Sequence, residues 1–134
     1  MSRPEPKLPP PAETARYRVT ACIPARNEET TIAEVIAGAA PWVDEVLVVD
    51  GRSTDRTRAI AESLGARVVT DRGGGKGVAL RNGAAAARHE IVVFLDADGS
   101  HDPADIPAMV APIRQGVADM VVGSKVMEGA NDDR

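Results

Sequence analysis

Two carboxylates spaced one residue apart follow an apolar run in the segment IVVFLDADGSHDP, residues 91–103. The run predicts a buried strand that delivers Asp96 and Asp98 to a loop, and loops after strands often carry function. Carboxylates so spaced can share a hard divalent cation such as Mg²⁺ or Mn²⁺. A calcium-binding EF-hand is excluded, because its loop needs glycine at His101 and glutamate at Pro107. An acidic surface turn has the same composition, so the motif alone leaves both interpretations open.

A glycine-rich loop, DRGGGKG at residues 71–77, is the second candidate for chemistry. Its backbone N–H groups could bind an anion at a helix N-terminus, with Lys76 as a point charge. A Walker A loop is excluded, because Gly77 follows the lysine and Thr70 stands where the first glycine is required. A dinucleotide fingerprint is also absent, because IPARNEE after the first apolar run contains no glycine. A flexible connector is the alternative interpretation of this loop.

Short apolar runs alternate with helical patterns along the chain and predict the elements that position these loops. Continuous apolar strands separated by helices indicate a parallel sheet covered on both faces. The predicted strands are 18–24, 44–50, 66–70, 91–96 and 118–124. The first helix has its apolar residues on one face, from Ile32 to Ala39, and Asn27 is its predicted N-cap. In such folds ligands bind beyond the carboxyl ends of the strands, where PARNEE, DGRSTD, DRGGGKG and DADGSHD all fall.

Composition limits the classes of function. A net charge of −4 without a run of Lys and Arg argues against a nucleic-acid partner. No apolar stretch reaches the roughly 18 residues of a membrane span, and the single Cys22 favours a reducing, cytoplasmic setting. We expect a disordered proline-rich tail at residues 1–16, one ordered domain at 17–125 and a flexible polar C-terminus at 126–134.

Five segments, taken in order and spacing, resemble the motifs of family 2 glycosyltransferases with the GT-A fold, over residues 18 to about 125: IPARNEE, VLVVDGRSTDRT, GKGVALRNG, FLDADGSHDP and ADMVVGS. The dolichyl-phosphate mannosyltransferase and polyprenyl-phosphate sugar transferase branch is the most similar. The resemblance implies a GT-A-like, mostly parallel sheet of about five strands with helices on both faces. It also implies inverting transfer from a nucleoside-diphosphate sugar, of the GDP-mannose or UDP-glucose type, with Mg²⁺ or Mn²⁺. The acceptor would be a small molecule or a polyprenyl phosphate at the cytoplasmic face of a membrane.

The same resemblance implies two sets of site residues. Those expected to contact the nucleotide sugar are Pro24, Ala25, Arg26, Asn27, Glu28, Asp50, Lys76, Arg81 and Asp96. Those expected at the metal are Asp96, Asp98 and Ser100. The family's second strand usually ends in D-D-G-S, whereas here Gly51 and Arg52 follow Asp50. This departure leaves the identity of the base open.

The carboxylate that deprotonates the acceptor lies downstream of the fifth strand in the family, so no catalytic base is assigned. Two alternatives therefore accompany the enzyme interpretation. The chain could be a truncated donor-binding module that a partner chain or a second copy completes. Alternatively, D-x-D-G-S resembles the first motif of haloacid-dehalogenase-like phosphatases, in which Asp96 would be the nucleophile, although that motif usually opens the fold.

Overall fold

The computed structural model describes residues 17–71, 73 and 75–115, apart from the side chain of Lys76. Four strands and four helices alternate: β1 Val19–Ala25, α1 Ile32–Ala39, β2 Glu45–Asp50, α2 Thr57–Ser63, β3 Arg67–Thr70, α3 Lys76–Ala86, β4 Ile91–Phe94 and α4 Ile106–Arg114. Short 3₁₀ turns occupy Ala40–Trp42 and Pro103–Asp105. The predicted tail at 1–16, fifth strand at 118–124 and C-terminus at 126–134 lie outside the described residues. Within the described ranges, no helix is long and apolar enough to cross a membrane.

The four strands form one sheet in the order β3-β2-β1-β4, and every neighbouring pair is parallel. Ala25 pairs with Asp50, and Asp50 pairs with Thr70, so the carboxyl ends of β1, β2 and β3 are level. The chain adds strands outward from β1 to β3 and then returns to place β4 on the other side of β1. Such a reversal opens a crevice at the carboxyl edge, here between β1 and β4. The predicted parallel α/β sheet is confirmed.

Helices cover both faces of the sheet, as predicted. On one face, α3 packs against β1 and β2, over a small cluster of Cys22, Leu47, Val49 and Ala79. The opposite face holds the larger core, which includes side chains of α1, α2 and α4. The residues of β1 alternate between these faces, because Ala21 and Ile23 belong to the larger core and Cys22 to the smaller.

The predicted start of the first helix is wrong. The helix begins at Ile32 with Thr31 at the N-cap position, five residues after the predicted cap Asn27. Asn27 instead adopts a left-handed backbone with φ 54°, and its side chain accepts a hydrogen bond from the Thr54 amide at 2.8 Å. A tertiary contact has therefore replaced the local capping interaction that the sequence pattern indicates.

Glu45 joins three strands and a helix at the amino end of the sheet. Its side chain is only 10% exposed and accepts hydrogen bonds from Thr20 Oγ1 at 2.8 Å, Arg67 Nε at 3.0 Å and the Arg88 amide at 3.1 Å. Arg67 in turn donates to the carbonyl of Ala86, the last residue of α3. Burial opposes the ionisation of Glu45, but these hydrogen bonds outweigh it and hold its pKa below the ordinary value of 4.5.

This network predicts an acid-sensitive contribution to stability. Because the folded-state pKa of Glu45 is below its unfolded-state value, its contribution is complete above about pH 5 and is lost as the pH falls through the folded-state pKa. We expect Glu45→Gln to lower the free energy of unfolding by about 1–2 kcal/mol at pH 7. Urea unfolding of both proteins between pH 7 and acid should show that difference shrinking. Glu34→Gln, at an exposed position of α1, is the control, and a pH-independent difference for Glu45→Gln would contradict the assignment.

Candidate functional site

A cleft of about 580 Å³ lies at the carboxyl edge of the sheet. This volume is typical of small-molecule sites. Its walls come from the ends of all four strands, so it spans the crevice that the strand order opens. The lining residues are Pro24, Ala25, Arg26, Glu28, Val49, Gly51, Arg52, Asp71, Gly73, Gly75, Ala79, Asp96, Ala97 and Asp98.

Asp96 and Asp98 line the cleft from the loop after β4, and Ser100 holds both carboxylates. The Ser100 amide donates to Asp98 Oδ1 at 2.9 Å, and its hydroxyl donates to Asp96 Oδ2 at 3.4 Å. Gly99, with φ 84°, allows the turn that brings Ser100 back over them. The hydrogen bonds from Ser100 lower the pKa of Asp98 below its ordinary value, so this exposed carboxylate is ionised at neutral pH.

Two further hydrogen bonds restrain this acidic loop, one to the start of α1 and one within the loop. The Ala97 carbonyl accepts from Thr31 Oγ1, at the start of α1, at 2.7 Å. The Asp96 amide donates to His101 Nδ1 at 3.2 Å. The loop is therefore held at both carboxylates and at its backbone, which restrains the positions from which Asp96 and Asp98 face the cleft.

The donor set fits a divalent cation that shares its coordination shell with a ligand. In the part of the chain that the structure describes, no group of three or more His, Cys, Asp or Glu side chains could hold a metal by itself. Asp96 and Asp98 supply carboxylate oxygens only. Mg²⁺ and related hard ions are commonly bound by one or two carboxylates and complete their shells with water and substrate phosphates. The site therefore suits a cation that binds together with a phosphorylated ligand.

The loop after β1 forms the central wall and interlocks with the loop after β2. Five backbone amides of these two loops each donate to a side chain of the opposite loop. The pairs are Asn27 N to Ser53 Oγ (2.9 Å), Thr54 N to Asn27 Oδ1 (2.8 Å), Glu28 N to Thr57 Oγ1 (2.8 Å), Glu29 N to Asp55 Oδ2 (3.2 Å) and Arg56 N to Glu29 Oε1 (3.1 Å). Residues 53–57 of the β2 loop therefore restrain the loop that carries Arg26 and Glu28.

Thr57 provides a test of this interlock, because its side chain is fully buried and its hydroxyl accepts from the Glu28 amide. Thr57→Val keeps the shape, leaves that partly buried N–H without an acceptor and also removes the hydrogen bond that the hydroxyl donates to Asp55 Oδ1. We expect a loss of about 1–3 kcal/mol in the free energy of unfolding and faster hydrogen exchange of the Glu28 amide. Thr57→Ser retains the hydroxyl and should preserve the protection. Equal protection in Thr57→Val and the unmodified protein would show that the interlock does not hold the wall.

The structure brings six of the predicted site residues to the cleft and places others away from it. Those that line it are Pro24, Ala25, Arg26, Glu28, Asp96 and Asp98. Asn27 faces the β2 loop, Ser100 supports the two carboxylates, and Arg81 is exposed on α3 outside the lining. The side chain of Lys76, at the start of α3, lies outside the described residues.

Asp50 lies behind the cleft and is not among the described residues that line it. It is 3% exposed, its Oδ1 accepts from the Ser53 amide at 3.3 Å, and its Oδ2 lies 3.9 Å from Arg58 Nη1. These contacts turn the carboxylate toward the loop that follows it. The predicted contact between Asp50 and the base stays a prediction.

Sequence reasoning placed the segments DGRSTD and DRGGGKG at the ligand-binding edge but assigned no role to Arg52, Asp71 or Gly73, which form one corner of the cleft. Asp71 is 8% exposed and accepts from the Gly73 amide at 3.1 Å and from Asn82 Nδ2 at 3.3 Å. The signal was available, because Asp71 directly follows β3 as Asp50 ends β2.

Comparisons with known proteins agree with the geometry. The sequence profile of glycosyl transferase family 2 matches residues 20–134. An uncharacterised glycosyltransferase of Mycobacterium bovis is 43% identical over 107 residues, which are 80% of this chain and 48% of that protein. The glycosyltransferase AglJ of Haloferax volcanii is 42% identical over 109 residues, which are 76% of this chain and 34% of that protein. The chain thus spans less than half the length of these relatives.

Solved structures extend the likeness to the fold. Glucosyl-3-phosphoglycerate synthase from Mycobacterium tuberculosis, in complex with Mn²⁺, UDP and glucosyl-3-phosphoglycerate, matches with a TM-score of 0.70 at 38% identity. The match covers 78% of this chain and 42% of the synthase. The same enzyme in complex with Mn²⁺, UDP-glucose and phosphoglyceric acid gives the same TM-score and identity. The α/β GT-A-like fold and the family profile lead to one conclusion: the chain belongs to glycosyl transferase family 2.

Proposed function

We propose that the cleft binds a UDP-sugar together with Mg²⁺ or Mn²⁺, as the donor site of an inverting glycosyl transfer. The observation that carries the proposal is the position of Asp96 and Asp98, which face a cleft of suitable size at the topological switch point of the sheet. The likeness to a synthase solved with Mn²⁺ and UDP-glucose supports the same ligand class.

In this proposal Asp98 is the principal cation ligand and Asp96 contacts the ribose and the cation. Ser100 then acts mainly by positioning, because its amide and hydroxyl are hydrogen-bonded to those two carboxylates. When bound, the cation would stabilise the negative charge that develops on the leaving diphosphate as the anomeric bond breaks. Fixed carboxylates reduce the reorganisation that this stabilisation requires.

The cleft residues Pro24, Ala25, Arg26 and Glu28 would hold the nucleoside. Asn27 would support this wall through its bond to the Thr54 amide, and Asp50 through its bond to the Ser53 amide. Arg26 is exposed at the cleft and could contact either the base or the diphosphate. The proposed roles of Lys76 and Arg81 near the diphosphate rest on the resemblance to the family alone.

We propose UDP-glucose as the donor, and not GDP-mannose, because the similar synthase was solved with UDP-glucose. That synthase was also solved with phosphoglyceric acid, so a small phosphorylated acceptor is an alternative to polyprenyl phosphate. A cytoplasmic location and contact with a membrane lipid stay predictions. Family membership disfavours the phosphatase alternative.

Calorimetric titration of the chain with UDP-glucose and GDP-mannose, each with and without Mn²⁺, tests donor binding. We expect Mn²⁺-dependent binding of UDP-glucose and weaker binding of GDP-mannose. Binding that is independent of Mn²⁺, or a preference for GDP-mannose, would contradict the proposal. Phosphate release from p-nitrophenyl phosphate that disappears in Asp96→Asn would instead support the phosphatase.

Transfer by this chain alone is a separate proposal from donor binding, because the chain spans less than half of each relative. Incubation with UDP-glucose, Mn²⁺ and either 3-phosphoglycerate or a polyprenyl phosphate tests it. A glucosylated product would support an active enzyme. Donor binding without a product would support a donor-binding module that needs a partner chain.

A further inference from the structure

Arg52 has an unusual backbone conformation for its residue type. Among the described residues other than glycine, only Asn27 and Arg52 have positive φ, at 54° and 61°. Asparagine tolerates this region because its short side chain can form compensating hydrogen bonds, as Asn27 does with Thr54. Arginine has no such advantage, and strained residues of this kind cluster at functional sites. Arg52 stands where the family's D-D-G-S motif has glycine, so the turn itself accounts for the left-handed backbone. What calls for a functional explanation is an arginine side chain at a position that suits glycine.

Arg52 lies in the cleft, and its guanidinium is placed over the backbone of Gly73. Both residues line the cavity, and Arg52 Nη2 lies 3.3 Å from the point where a Cβ of residue 73 would stand. The Gly73 amide is bonded to the buried carboxylate of Asp71. The planar guanidinium of Arg52, the exposed Gly73 and the buried carboxylate of Asp71 therefore lie together in one corner of the cleft.

The strand order places this corner far from the cation carboxylates. Asp96 and Asp98 follow β4 at one edge of the sheet, whereas Asp71 and Gly73 follow β3 at the other. Neighbouring strands are about 4.8 Å apart, so three spacings separate the two ends by about 14 Å. A nucleotide that spans the cleft from a diphosphate near Asp98 would place its base toward β2 and β3.

We propose that Arg52 stacks its guanidinium on the face of the nucleotide base and so fixes the base in the corner beside Asp71. The guanidinium is planar and stacks on aromatic faces, where an ammonium group acts only as a point charge. From this left-handed turn its guanidinium reaches the corner at Gly73. This inference deepens the proposed function and rests on it.

Arg52→Gly separates this role from a structural one. Glycine adopts φ 61° freely, so the turn should keep its conformation and the variant should remain folded. We expect Mn²⁺-supported UDP binding to weaken about 3- to 30-fold, the range of a stacked cation, while binding of inorganic pyrophosphate with Mn²⁺ is unchanged. Arg52→Lys should lose most of the same UDP affinity although it keeps the charge. Arg88→Ala, at the amino end of the sheet, removes an equal charge and should change neither UDP binding nor pyrophosphate binding.

Three outcomes would overturn the inference. Equal weakening of UDP and pyrophosphate binding in Arg52→Gly, restored by Arg52→Lys, would make Arg52 a diphosphate contact. Unchanged UDP affinity in Arg52→Gly, with normal binding by the unmodified chain, would refute the stacking role and leave the proposed function intact. Failure of the unmodified chain to bind UDP with Mn²⁺ would refute the proposed function and this inference with it.

Discussion

Asp98→Ala should weaken Mn²⁺-supported UDP binding by at least about 100-fold. Loss of residues that merely support a metal ligand costs about 10- to 100-fold in affinity or activity, so removal of a direct ligand should reach or exceed that range. Asp98 is exposed at the cleft and its pKa is lowered by hydrogen bonds from Ser100. Its charge is therefore available to a cation without a prior change of protonation. Isothermal calorimetry with and without Mn²⁺ measures the effect directly.

Asp105→Ala is the matched control for this change. Asp105 is exposed in the same acidic segment and does not line the cleft, so its removal alters the local charge equally. We expect the UDP affinity of Asp105→Ala to stay within about twofold of the unmodified protein, since salt largely screens an exposed charge that does not contact the ligand. Similar losses in the two variants would mean that general electrostatics, and not ligation by Asp98, supports binding.

Gly83→Ala should destabilise the fold by overpacking the contact between α3 and the sheet. A Cβ at residue 83 would overlap the Sγ of Cys22 and stand 3.2 Å from Val49 Cγ2, so α3 would have to move away from β1 and β2. Overpacking costs about 1–3 kcal/mol or more, and the better helix propensity of alanine offsets about 1 kcal/mol. We expect the free energy of unfolding to fall by up to about 2 kcal/mol, measured by urea denaturation.

Removal of the sulfur tests whether this contact causes the loss. Cys22 is fully buried, and burial raises the pKa of its thiol to about 12, so it acts here as a packing group. In a Cys22→Ala background the Gly83→Ala change should be nearly neutral, which gives a coupling energy of up to about 2 kcal/mol. Gly77→Ala, on the same helix with its nearest neighbour 3.9 Å from the new Cβ, should not destabilise. If the losses of unfolding free energy in the Cys22 and Gly83 variants were additive, the overlap with the Cys22 sulfur would not be the cause of the destabilisation.

The order and type of the described elements could be predicted because each strand is a short apolar run and each helix has a distinct pattern. The parallel sheet and the position of ligands at its carboxyl edge follow from that alternation. The start of α1 could not be predicted, because Asn27 is bonded to Thr54. That contact depends on how two loops meet after the sheet has formed, which a local capping pattern does not contain.

The candidate site was predictable only in part for the same reason. Asp96 and Asp98 end an apolar run and reach the cleft, as the pattern indicates. Asp50 also ends a strand, yet the turn at Gly51 and Arg52 directs its carboxylate toward Ser53 and Arg58. The turn after a strand decides which side of the strand end a carboxylate faces. The segments that contain Asp71 and Arg52 could therefore be placed at the cleft from the sequence, but their side chains could not.

The position of Mn²⁺ in crystals grown with UDP tests the central claim most directly. We predict an anomalous difference peak within coordination distance of Asp98, with oxygens of the UDP diphosphate in the same shell and the base toward β2 and β3. A peak away from the loop after β4, or UDP bound outside the cleft lined by Pro24, Arg26 and Asp96, would contradict the account.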